Sequence, residues 1–190
     1  MSPRKKTRTT VQRTYSLIDE MMASPHQPLS PERRRHQLTR MWGGLRSIET
    51  AAHPSTDDWR VCSDAVNLME TLVRSGEPLS DDQGNVTHNG WRNCAGDWVQ
   101  IHDSGKLLMD AVTAMTAAGI RKLNGGHIRL DAAGIQAVRA VLEDYSELLD
   151  QLPARTIIRA HRLTEKRISD IFSGRCRPHD VELVDLRNTA

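Results

Sequence analysis

"GIQAVRAVLEDYSELLDQL", residues 134–152, decides how the whole chain reads. Ile135, Val138, Leu142, Tyr145, Leu149 and Leu152 recur at three- and four-residue steps. On a helix of 3.6 residues per turn that spacing places all six on one face. Asp131, just ahead of the run, can accept from the free backbone N–H groups of a first turn, so a helix is expected to start there. Pro153 should interrupt it, because proline lacks the N–H donor and its ring collides with the preceding turn.

The same spacing returns elsewhere. Leu38, Met41, Leu45, Ile48 and Ala52 follow "SPE" at 30–32, where Ser30 can cap and Pro31 loses no needed donor, and the helix persists across Gly43 and Gly44. Trp59, Cys62, Val66, Met69 and Val73 follow the capping cluster "STDD" and stop before Gly76. Trp91, Cys94, Trp98, Ile101, Gly105, Leu108, Val112 and Met115 predict one long helix that ends near the "NGG" at 124–126 and pairs with the helix over 135–152. Between these runs, residues 76–90 collect Gly, Pro, Asp and Asn, as an exposed loop with room for a turn or hairpin does. Aromatic residues make up only 4% of the chain and Phe172 is the single phenylalanine, which disfavours an extensive sheet. The expected fold is all-α, a helical bundle of about five or six helices at ordinary helix lengths, with a basic N-terminal arm. The expected division is a basic arm over 1–13, the bundle over 14–152, and a basic C-terminal helical appendage and tail over 153–190.

A net charge of +2 is too small to define a nucleic-acid binder, but its distribution is uneven. Arg4, Lys5, Lys6, Arg8 and Arg13 crowd the first thirteen residues without an acid, whereas Glu143, Asp144, Glu147 and Asp150 form an acidic run. The sign reverses again over 155–177, where Arg155, Arg159, Arg162, Lys166, Arg167, Arg175 and Arg177 face only Glu165 and Asp170. Three cysteines, Cys62, Cys94 and Cys176, are too few and too scattered for a disulfide framework, which fits a reducing cytoplasm. No apolar run approaches membrane-spanning length, so no membrane association is expected.

Candidate chemistry concentrates near the C-terminus. Residues 156–174, "TIIRAHRLTEKRISDIFSG", resemble the second half of a helix-turn-helix of the phage-repressor type, with Leu163, Ile168, Ile171 and Gly174 at the motif's apolar and terminal positions. That resemblance implies a helix in the major groove, with Thr164, Glu165, Lys166, Arg167 and Ser169 toward bases and phosphates. Arg162 and Ile158 stand where the motif carries small residues. Arg175 and Arg177 extend the basic stretch, and the arm at Arg4, Lys5, Lys6 and Arg8 has the chemistry to track a phosphate backbone through counterion release. Cys176 and His179 are spaced as one ligand pair, and His88, Cys94, His102 and His161 do not supply the second close pair that zinc requires, so no metal and no cofactor is expected. Nucleophile elbows, phosphate loops and paired zinc histidines do not occur in the sequence, and no catalytic residue is expected. Trp42, Trp59, Trp91 and Trp98 all fall on or beside apolar stripes and are expected to pack in the core.

The "PRKK" opening, "DDWRVCSDAVNLMETL" at 57–72 and the run 134–152 together resemble small accessory proteins of proteobacterial prophages and conjugative elements, over residues 1–152. The resemblance implies a bacterial cytoplasmic setting and carries no binding residue with it. Two functions are expected from this class. One is a non-catalytic protein that modulates a host defence or nucleic-acid-handling complex through helix faces and the 76–90 loop. The other is a DNA-binding regulator, a homodimer on a symmetric site.

Overall fold

The computed structural model describes residues 14–80, 82–84, 86–100 and 105–175. Among these, six helices and three short strands form a mostly helical bundle: α1 (Leu17–Met22), α2 (Pro31–Thr50), α3 (Thr56–Ser75), β1 (Glu77–Ser80), β2 (Val86–Arg92), β3 (Trp98–Gln100), α4 (Gly105–Leu123), α5 (Ala132–Gln151) and α6 (Ala154–Phe172).

The caps fall where the sequence puts capping side chains. Ser30 Oγ accepts from the Arg33 N–H with Pro31 inside the first turn, and Asp131 accepts from the Gly134 N–H at 2.7 Å. Ser55 and Asp58 form a reciprocal capping box on α3, and Asp58 also accepts from Ser47 Oγ at 2.8 Å, which ties the start of α3 to α2. Ser16 and Asp19 build the same box on α1.

α3 lies at the centre, packed against α2, α4, α5, α6 and β2. Cys62, Val66, Leu68, Met69 and Leu72 are all buried there, facing Val138, Leu142 and Leu149 of α5 in one continuous core. Gly44 is the close-approach point of α2 on α3, since a Cβ at that position would lie 2.9 Å from the Asp58 carbonyl oxygen and 3.3 Å from Cys62 Sγ. The final turn of α3 leaves backbone carbonyls without helical partners. Trp91 Nε1 donates to the Leu72 carbonyl at 2.9 Å and Asn89 Nδ2 to the Val73 carbonyl at 3.0 Å, so β2 closes the end of the central helix.

The single helix expected from Trp91 onward is replaced by part of an antiparallel sheet of order β1-β2-β3 followed by α4. The physical reason is the turn at 93–97. Asn93 Oδ1 accepts from the N–H groups of Ala95 and Asp97, both at 2.9 Å, and Gly96 adopts φ +93°, a conformation closed to a helix. Trp91 then pairs with Val99 across the strands, and Trp98, expected in the core, is 39% exposed beneath the Arg92 guanidinium at 4.3 Å. Residues 76–90 are chiefly the β1–β2 hairpin, with Glu77 opposite Gly90.

The second correction concerns the segment after Pro153. Pro153 ends α5, but the chain re-enters the bundle at once, with Ile157, Ile158 and Ala160 buried in the common core and α6 packed on α3 and α1. Through Phe172 the expected appendage is therefore a bundle helix. The arm at 1–13 and the tail at 176–190 lie outside the described residues.

Gly43 and Gly44 separate propensity from packing. A Cβ at Gly43 meets nothing within 4 Å, so Gly43→Ala is expected to stabilise by about 0.5–1 kcal/mol through helix propensity. Gly44→Ala must push α2 off the backbone of α3 and should cost about 1–3 kcal/mol. Urea denaturation of the two variants checks both signs.

Candidate interaction surfaces

The candidate DNA-reading segment is one unbroken helix, with Arg162 in mid-helix where a helix-turn-helix requires a turn. Thr164, expected at a base edge, is buried: its Oγ1 lies 2.6 Å from Thr71 Oγ1 of α3 and 2.9 Å from the Ala160 carbonyl. Arg167 ion-pairs with the buried Glu70 at 2.7 Å, and Glu70 also receives Arg74 at 3.3 Å. Those two residues hold α6 to α3. Lys166 and Arg175 have side chains 77% and 73% exposed, but each stands beside Asp170, at 4.0 and 3.5 Å, which reduces the positive field they offer. Gly174 does end the helix, at φ +71°. Arg4, Lys5, Lys6, Arg8 and Arg177 lie outside the described residues.

Cys62 is buried and its thiol is pushed up to about 12 by burial, so without a metal it is protonated at neutral pH. Cys94 is raised by the same cause. Among the described residues no three His, Cys, Asp or Glu side chains gather as a metal site, and His102, Cys176 and His179 fall outside them. No described helix is long and apolar enough to cross a membrane.

His161, counted in the sequence as a spare ligand, belongs to an enclosed polar cluster. Its Nε2 lies 3.0 Å from Gln37 Nε2, its ring meets Tyr15 edge-on at 5.1 Å, and Gln37 Nε2 donates weakly to Tyr15 Oη at 3.4 Å. Gln37 Oε1 is buried and has no hydrogen-bond partner among the described residues. Burial lowers the His161 pKa from 6.5 to about 4, so the ring is neutral and its unprotonated Nε2 accepts from the Gln37 amide. Three residues so far apart in sequence offer no local pattern by which to find them.

Two solvent-facing apolar surfaces lie beyond what apolar spacing identifies, because that spacing does not separate a core face from an exposed one. On α4 the core face is Leu108, Ala111, Met115 and Ala118. A second line, Met109, Thr113, Thr116, Ile120 and Leu123, runs at steps of four and three along the outer side, with Ile120 53% and Leu123 86% exposed. The available signal was the run from Ala111 to Ile120, "AVTAMTAAGI", in which an exposed helix carries no charge. On α1, Leu17, Ile18, Met21 and Met22 all face outward and none of its residues is buried.

Comparison of the chain with protein-family models, with curated proteins and with solved structures gives no match. The functional reading therefore rests on these surfaces and on the sequence.

Two measurements follow from the polar contacts. Arg167→Ala leaves Glu70 with only Arg74 and should destabilise by about 1–2 kcal/mol, while Lys166→Ala, at an exposed site, should stay within about 0.5 kcal/mol of the parent. For His161 the unfolded ring binds a proton that the folded ring refuses between its two pKa values. Stability from this group is thus complete above pH 6.5 and falls as pH drops toward about 4, by roughly 3 kcal/mol. His161→Leu should flatten the fall in denaturation midpoint across that window relative to the parent chain.

Proposed function

We propose that the chain is a non-catalytic accessory protein of a bacterial mobile element, of the anti-defence type, which binds and modulates a host complex that handles nucleic acid. The observation that carries this reading is the outer line of α4. Residues at alternating steps of four and three on a straight helix form a seam that a second helix can fill. On α4 that seam faces solvent, and Met109, Ile120 and Leu123 are its apolar positions. The natural occupant is an amphipathic helix of a host protein, laid along the seam and anchored where these side chains enter its apolar face. Arg121 and Lys122 make one end of the seam positive, whereas Lys106 and Asp110 offset each other at the other end, which would favour an incoming helix with its acidic end beside Arg121 and Lys122. The mobile-element setting comes from the sequence resemblance over residues 1–152.

The competing role, a DNA regulator, would need Thr164 and Arg167 freed from α3, and otherwise rests on the arm at Arg4, Lys5, Lys6 and Arg8. Capture from a bacterial host lysate with and without nuclease distinguishes the two. The parent protein should retain a specific host protein after nuclease, and the double variant Ile120→Glu, Leu123→Glu should lose it while melting as the parent does. Capture that vanishes with nuclease, or that the double variant retains, overturns this reading.

A further inference from the structure

α1 is turned inside out relative to an ordinary surface helix. Glu20 points inward to ion-pair with Arg162 of α6, whereas Leu17, Ile18, Met21 and Met22 are between 56% and 82% exposed. Its attachment to the bundle combines the packing of Tyr15 and Ala23 at its two ends with polar contacts. The Thr14 N–H donates to Glu165 at 2.6 Å, and Arg155 donates to the carbonyls of Ala23 and Met21 at 3.2 and 3.3 Å. Leaving such side chains in water forgoes about 1.5–3 kcal/mol each relative to burial, and here the helix is anchored so that they must remain outside. An apolar surface presented on a fixed support is the arrangement of an interface.

The surroundings of α1 indicate what covers it. Beside Met22 a groove of about 220 Å³ opens over a buried apolar floor of Leu29, Ala154 and Ile158. Met22, Asp19 and Arg33 stand on the wall of the same groove, one apolar, one acid and one base, and the Asp19 carboxylate also accepts from the Ser16 N–H and hydroxyl of its own chain. A projecting side chain, a cavity to receive one, and both signs of charge thus lie on a single patch. Under a two-fold axis such a patch complements itself, because each feature meets its opposite on the other copy. A membrane surface would instead favour a predominantly basic rim.

We propose that the outward face of α1 is the contact of an isologous homodimer, with Met22 of each copy seated in the Leu29–Ala154–Ile158 groove of the other and Asp19 facing Arg33 across the axis. The α4 seam plays no part in this contact, so the two surfaces fail or succeed separately.

Sedimentation velocity on the full chain over a roughly hundredfold range of concentration tests it. The parent should approach twice 21.4 kDa at the upper end. Met22→Glu should raise the dissociation constant by at least about tenfold, and Ala23→Trp, which fills the groove from its own chain, should do the same without adding charge. Arg33→Glu should weaken the dimer similarly by setting like charges opposite each other. Ile120→Glu should leave it intact. Thermal melting verifies that each variant folds, which the exposure of Met22, Arg33 and Ile120 favours. A parent that stays at 21.4 kDa throughout overturns the proposal, as does a dimer indifferent to both Met22→Glu and Ala23→Trp. A monomeric parent whose host-protein capture or vesicle binding is lost in Met22→Glu overturns it in favour of that other occupant.

Discussion

The bundle depends on covering α3 from every side. Most of what α3 buries is apolar and makes no directional demand, but Glu70 and Thr71 are buried among those side chains. A carboxylate in that position is costly unless it is paired and hydrogen-bonded. α6 meets the demand with Arg167 on Glu70 and Thr164 on Thr71, at the same level of the helix. The end of α3 raises a second demand, since its last carbonyls have no helical donors, and Trp91 and Asn89 of β2 supply them. A sixth helix and a small sheet in a chain of helical composition thus both answer to the polar groups of one central helix.

That constraint governs the function as well. A helix that reads DNA must keep its polar face free for bases and phosphates. α6 gives Thr164 and Arg167 to α3 and Arg162 to Glu20, so two of the segment's arginines are engaged inside the protein. Lys166 and Arg175 share Asp170, Arg155 donates to the carbonyls of Ala23 and Met21, and Arg159 is exposed. A linear count of charge over 155–177 could not distinguish an arginine that neutralises a partner from one that neutralises an acid eighty or more residues away.

Legibility followed the range of the physics involved. Caps at Ser30 and Asp131 are local events within one turn, and the sequence alone locates both, whereas for α3 it gives only the cluster "STDD", in which Ser55 is the N-cap and Asp58 its partner. The apolar stripes of α2, α3 and α5 are nearly as local. The failure at Trp91 came from applying a helical period across Asn93 and Gly96, where side-chain-to-backbone hydrogen bonds and a positive φ decide the matter first. The helix-turn-helix failed for a related reason, because apolar residues at suitable positions do not specify a turn and α6 has the hydrogen bonds of a continuous helix. The surfaces on α1 and α4 were illegible in another sense. Hydrophobic spacing reports which side chains share a face, not whether the protein itself or something else covers that face. On α4 the core line and the outer line have similar periods, and only the packing of α3 and α5 against one of them tells them apart.

Separating those two surfaces has a mechanical consequence. α1 packs on α6, whereas α4 packs on α5 and α3, so occupying one face does not require displacing the other. A single α4 seam offers three apolar side chains and two threonines, too little contact for tight binding once the loss of translational and rotational freedom is counted. Joining two copies through α1 would present two such seams on one rigid body. A host assembly with repeated subunits would then bind the second seam at an effective concentration set by the dimer's geometry, and avidity could exceed the single-site affinity by about 10²–10⁴ without a new contact. The gain is confined to targets whose spacing matches that of the two seams. In that arrangement the α4 face would select the kind of helix bound, and the α1 contact would select the assembly in which that helix is repeated.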